Sequence, residues 1–120
     1  MAAKKQLWII AYDITDPRRL VRVGRYMVRR AVRVQYSVFV AELTDKELDG
    51  LLAGLEAIID PDTDDVRAYP LPDRCEVTLL GPQMFPAEVM LLRGGRNVLR
   101  LGEVVEAAGE QVDWVDELEG

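Results

Sequence analysis

The sequence contains no histidine. That removes the commonest general base, proton shuttle and transition-metal ligand, so any chemistry must run on carboxylates, hydroxyls, backbone groups or hard metal ions. Cysteine occurs once, at Cys75, which rules out an intrachain disulfide and any thiolate cluster for zinc or iron and leaves a buried structural thiol as the simplest reading. No apolar run approaches the roughly 20 residues that cross a bilayer; the longest covers residues 7–12. With no basic-then-apolar leader before it, the sequence reads as cytoplasmic, with no membrane partner. Glycine-rich phosphate loops are missing too. Asp60, Asp62, Asp64 and Asp65 begin like a calcium loop, but the glycine needed at the sixth position is Asp65 and the glutamate at the twelfth is Leu71, so a solvated acidic turn is the better reading.

What is present is a globular balance, 49% apolar and 30% charged over 120 residues, enough for one domain around one core. The net charge of -6 hides a strong asymmetry. Residues 1–36 carry nine Lys and Arg against two acids, and residues 37–120 carry six against nineteen. A basic first third can steer a polyanion whatever the total charge.

Residues 7–12 are continuously apolar and rich in β-formers, the signature of a strand covered on both faces. Asp16 then Pro17 signals a helix start. In that helix Leu20, Val23, Met27 and Ala31 form an apolar stripe, while Arg18, Arg22, Arg25 and Arg29 recur on another face. Residues 33–43 alternate with period two, predicting a strand with a break near Gln35. Thr44 and Glu47 fit a capping box before a leucine-rich helix that is expected to end at Asp60-Pro61. Residues 66–71 and 75–80 are further strand candidates, Pro70 placing the former near a sheet edge. Residues 88–92 and 97–105 fit either strand or helix around Gly94-Gly95, and residues 113–120 form an acidic tail. The element order predicts an α+β ferredoxin-like sandwich, an antiparallel sheet with two helices on one face. Its other face suits burial against a second copy in a symmetric homodimer.

Asp13 is the leading chemical candidate. It ends an apolar strand, yet Asp16 is better placed to cap the next helix. A carboxylate there could hold a divalent cation through oxygen, and twofold symmetry would pair it with its copy, allowing water to be activated against a phosphodiester. The plainer reading of Asp13 is a loop carboxylate in an Asx-turn or salt bridge. Ser37 has no histidine partner, so a strand hydroxyl bonding phosphate or backbone fits better than a nucleophile. Tyr12 and Phe39 suit core packing first and the lining of a phosphate or base site second. The series Arg18, Arg19, Arg22, Arg25, Arg29, Arg30 and Arg33 carries the partner signal. Guanidinium groups on one face can follow a phosphate backbone without reading bases; the plainer alternative is a solvated surface paired with the chain's own acids.

The segments WIIAYDITDPRRLVRV and RVQYSVFVAELT, a Leu-rich helix and DDVRAYPL, taken in this order over residues 7–80, resemble the CRISPR-associated Cas2 family. The most diagnostic pieces are Tyr12-Asp13, the following D-x-R-R-L segment and Gln35 to Phe39. The resemblance implies a ferredoxin-like homodimer over residues 1–81, the last family strand completing the partner's sheet. It implies a role in spacer acquisition, bridging dimers of the Cas1 integrase on a short DNA duplex. It also implies an endonuclease on single-stranded RNA or double-stranded DNA, with Asp13 as catalytic residue and ligand for Mg2+ or Mn2+. By the same resemblance Tyr12, Arg22, Arg33 and Phe39 match positions tied to nuclease activity, and Arg18 and Arg19 lie in a segment associated with DNA contact. Residues 82–120, with Trp114 in an acidic setting, form an extension beyond the length of many family members. It could dock on the integrase, add strands to the dimer or remain without fixed order.

Three functions therefore compete: a metal-dependent phosphodiesterase, an architectural DNA-binding dimer without required catalysis, and a ferredoxin-like metabolite sensor. The sensor would need a ligand pocket in place of the basic stripe, and its binding would be insensitive to salt.

Overall fold

A computed structural model describes residues 4–72, 75–80, 90–93 and 96–100. The described elements run β1 (Gln6–Asp13), α1 (Pro17–Val28), β2 (Val32–Gln35), β3 (Val38–Leu43), α2 (Asp45–Glu56), β4 (Asp65–Leu71), β5 (Glu76–Leu79), β6 (Met90–Arg93) and β7 (Arg96–Arg100). The first four strands form an antiparallel sheet in the order β2-β3-β1-β4, the ferredoxin-like arrangement expected from the sequence.

The continuous apolar character of β1 follows from its central place. Ile10 and Tyr12 pack on one side with Val23 and Met27 of α1 and Leu51 and Leu55 of α2. Leu7 belongs to a second cluster with Val34 and Val40, against which Cys75 and Val77 also pack. The far side of the sheet is thus partly covered by the chain that follows β4, and Cys75 is half-buried there rather than fully enclosed. Phe39, Ile10, Met27, Leu55 and Val23 are among the largest fully buried side chains; each contributes about 1.5–3 kcal/mol by leaving water.

Both helix starts have the predicted chemistry. The Asp16 side chain accepts the Arg19 N–H at 3.0 Å with Pro17 at the first helical position. Thr44 accepts the Glu47 N–H at 3.1 Å, while Glu47 accepts the Thr44 N–H at 2.9 Å. The helix ends are less faithful to expectation. α2 stops at Glu56, four residues short of Asp60, because Ile58 and Ile59 both donate to the Leu55 carbonyl. This tight closing turn brings them against the core.

The alternating stretch 33–43 breaks at Gln35, as expected, and the break is a full reversal between two strands. The chain reverses at Tyr36 and Ser37, and the β2–β3 register slips between Arg33 and Gln35. Pro70 lies in β4, an edge strand, where its missing N–H breaks no ladder. Residues 90–93 and 96–100 are strands, and with β5 they form a separate sheet in the order β5-β7-β6. The Gln35 side chain donates to the Leu80 carbonyl at 2.8 Å, fastening the end of β5 near that of β2. The acidic tail lies outside the described residues.

The helices cross where Gly54 faces Tyr26. The Tyr26 hydroxyl donates to the Leu51 carbonyl at 2.8 Å, and a Cβ at residue 54 would collide with the phenol. Gly54→Ala should therefore destabilise the fold by about 1–3 kcal/mol through overpacking, although alanine in an open helix would gain about 1 kcal/mol over glycine. Denaturant melts of the two proteins check this; an unchanged or raised midpoint would show that the phenol moves aside freely.

Candidate functional site

Asp13 is exposed at the end of β1, and three residues separate it from α1. Its register partner on β4 is Asp65. Like charges opposed across an antiparallel pair repel. One of the two is balanced, since Arg67 Nε lies 2.7 Å from Asp65 Oδ2. Asp13 has no ion pair among the described residues, so its carboxylate oxygens face solvent uncommitted. Asp65 went unnoticed as a neighbour in the sequence because 52 positions separate the two carboxylates and only β4 pairing brings them together.

A clip beside this pair fixes its position. Asp64 accepts from the Thr15 N–H at 2.9 Å, the Thr15 hydroxyl at 3.1 Å, the Asp60 N–H at 2.9 Å and Arg19 Nε at 2.8 Å. The loop after β1, the start of α1 and the turn before β4 thus converge on one carboxylate. This assigns Arg19 a structural partner: its guanidinium is committed to Asp64 and to the Thr15 and Thr63 hydroxyls. Arg18, Arg22 and Arg25 are exposed along α1 and make no ion pair among the described residues. Arg30 instead stacks 3.8 Å from the Tyr26 ring centroid and donates to the Tyr26 carbonyl.

Behind Asp13 lies a cluster built on Arg33. Its guanidinium carbon sits 5.0 Å from the Phe39 ring centroid and 5.7 Å from that of Tyr36, and the group acts on the ionisation of the Tyr12 hydroxyl. Tyr12 and Phe39 stack at 5.9 Å. Both rings are core residues, 6% and 0% exposed, so they can act at the site only through Arg33. Burial raises the Tyr12 pKa while the Arg33 cation pulls it down, with the rise prevailing; the phenol stays neutral at physiological pH. Ser37 is half-buried in the β2–β3 turn, and its carbonyl accepts the Tyr12 N–H at 3.1 Å. That bond sets the turn against the strand end bearing Asp13. The aromatic that the sequence pattern did not single out is Tyr36, 59% exposed, because the period-two pattern counts it with the inward-facing Val34, Val38 and Val40.

An exposed strand-end carboxylate and a row of exposed arginines on the following helix sit on a four-stranded antiparallel sheet, which defines a small α+β protein of ferredoxin-like class. The family described as CRISPR associated protein Cas2 matches residues 6–78, more than half the chain. The chain belongs to that family. It is similar to CRISPR-associated endoribonuclease Cas2 1 of Nitrosomonas europaea, 46% identical over 79 residues, covering 66% of this chain and 75% of that protein. It is also similar to CRISPR-associated endonuclease Cas2 2 of Thermus thermophilus, 34% identical over 88 residues, with coverage of 73% and 98%. The crystal structure of Streptococcus pyogenes Cas2 aligns with a TM-score of 0.51 at 34% identity, covering 55% of this chain and 86% of that one.

The clip has a pH signature. The Arg19 guanidinium holds the Asp64 carboxyl well below the usual carboxylate range, against the opposing effect of burial and with help from the Asp60 and Thr15 N–H groups. A depressed folded-state pKa contributes stability that is complete above the unfolded value near 4 and is lost as pH falls below it. Asp64→Asn should therefore melt lower than wild type at pH 7, with the gap narrowing from pH 4 to pH 2. Superimposable melting curves across that range would remove the clip as the acid-sensitive element.

Proposed function

We propose that the chain is a metal-dependent endonuclease that cleaves phosphodiester bonds in RNA or double-stranded DNA. It would work as a cytoplasmic homodimer and serve spacer acquisition beside the Cas1 integrase. The observation that carries this reading is the exposed, unpaired Asp13 carboxylate at the end of β1, together with the exposed, unpaired arginines of the helix that follows it. The names of its relatives point to the same chemistry.

Magnesium commonly takes one or two carboxylates together with waters and substrate phosphates. Asp13 fits that open mode. Among the described residues no three His, Cys, Asp or Glu side chains gather into a closed cage. Asp13 would hold the ion, with the copy on the second subunit as its partner across the twofold axis. A bound divalent ion, magnesium or manganese, supplies Lewis acidity at the phosphoryl oxygens and a more acidic water. Arg18, Arg22 and Arg25 hold the flanking phosphates, and Arg33, fixed by Tyr12 and Phe39, braces the strand end. Hydrolysis adds water across the P–O bond, the hydroxyl going to phosphorus and the proton to the leaving oxygen.

An architectural role is favoured by one further feature: exposed arginines on a helix contact backbone rather than base edges, which suits sequence-independent holding of a duplex. Two measurements separate the roles. Asp13→Asn should lower magnesium-dependent cleavage on the order of 100-fold or more, the scale of losing one transition-state stabilising group, while leaving binding near wild type. Full cleavage by that variant would remove Asp13 from the chemistry; acquisition that survives the loss of cleavage would make scaffolding the cellular role. Replacing Arg18, Arg22 and Arg25 together by Gln should flatten the slope of log K against log salt for single-stranded RNA by about 2. An unchanged slope would place the phosphate path elsewhere.

A further inference from the structure

A second feature lies beside the arginine row of α1. Between that helix and the β2–β3 turn runs an open groove of about 260 Å³, with walls that include Val21, Val28 and Tyr36. Two of these apolar side chains are left largely uncovered, Val21 at 51% and Tyr36 at 59% exposed. The groove owes its depth to Gly24. A Cβ there would come within 3.1 Å of Arg33 Nη2 and 3.9 Å of the Tyr12 hydroxyl. The half-buried Arg33 and the exposed Arg25 also line it. Arg25 is also the last of the unpaired series Arg18, Arg22 and Arg25, which extends about 10 Å along the helix at 1.5 Å per residue.

The groove therefore couples a slot of apolar and aromatic walls to a cationic track leaving its edge. A nucleic-acid strand has the complementary division, a flat apolar-faced base attached to an anionic backbone, and bases stack on aromatic and guanidinium planes with little regard to sequence. In a duplex the bases are paired and stacked, and entry would require flipping one out. Tyr36 offers a ring backed by the Arg33 cation at 5.7 Å. It is an aromatic the core does not use.

We propose that the slot bounded by Val21, Gly24, Val28, Arg33 and Tyr36 holds one unpaired base of single-stranded RNA, whose phosphates continue along Arg25, Arg22 and Arg18. This rests on the nuclease reading above and adds to it a base-accepting subsite that favours single strands over duplexes. RNA is the committed ligand because the Nitrosomonas europaea relative is named an endoribonuclease.

The test measures binding of the full-length protein to a single-stranded RNA 12-mer, to the same oligomer with a central block of abasic positions, and to the matching RNA duplex. Tyr36→Ala should weaken binding of the intact single strand by roughly 5- to 100-fold, the range seen for loss of one base–aromatic stack, and leave the duplex unchanged. Tyr36→Phe should behave as wild type. Abasic substitution should cost wild type the same factor and cost Tyr36→Ala little further. Equal losses for single strand and duplex would overturn the proposal, as would a Tyr36→Ala protein that binds the single strand like wild type. A change in sedimentation of Tyr36→Ala would also overturn it, since a second copy of the chain would then be the groove's occupant. If wild type binds neither RNA form, this proposal falls together with the RNA arm of the nuclease reading; intact wild-type binding with a silent Tyr36→Ala removes only the base slot.

Discussion

The arrangement of the site depends on one carboxylate that takes no part in the proposed chemistry. Asp64 gathers the N–H and hydroxyl of Thr15, the N–H of Asp60 and the side chain of Arg19. Those contacts join the exit of β1 to the entrance of β4 and the first turn of α1. Asp13 precedes Thr15 by two residues and Asp65 follows Asp64 directly, so the same clip positions both members of the carboxylate pair. A charge-assisted network of this kind is about twice as strong per bond as a neutral one. It also takes Arg19 out of the cations available to a ligand. Within one short run of sequence, neighbouring arginines therefore serve different ends: Arg18 and Arg22 face water, and Arg19 staples the fold.

The features legible in the sequence were those that obey local rules. Asp16-Pro17 and Thr44-x-x-Glu47 mark helix starts because a short polar side chain near a free N–H has few other uses. The six-residue apolar run announces a central strand because only burial on both faces tolerates it. The ferredoxin-like order followed from these elements and was carried further by the family resemblance. The break near Gln35 was legible, but that it is a full β2–β3 reversal was not, because Tyr36-Ser37 contains none of the glycine, asparagine or proline that usually signals a turn. Uninterrupted alternation of apolar and polar residues looks the same whether the chain continues or folds back through such a pair.

The site was legible in part for a related reason. Asp13 stood out because a charge at the end of an apolar strand is locally anomalous. The significance of Asp64 and Asp65 for the site comes from partners 45 to 52 positions away, Arg19, Thr15 and Asp13, and in sequence they look like a solvated acidic turn. Tyr12 and Phe39 were recognised as aromatics with two possible uses, and burial settles their packing in favour of the core. Their contribution to the site is then indirect, as the base on which the Arg33 guanidinium is stacked. Exposure, which no residue pattern encoded, is what distinguishes Tyr36 from them.

The contact at Gly54 has a reach beyond packing. Because Tyr26 is latched to the Leu51 carbonyl across a residue with no side chain, α1 can neither roll nor slide against α2 without breaking the latch. Successive residues of a helix are about 100° apart in azimuth, so a fixed Tyr26 dictates the compass bearing of every other position on α1. The direction in which the cationic row looks out into solution is decided roughly a quarter-turn away around the cylinder, by an atom that is not there.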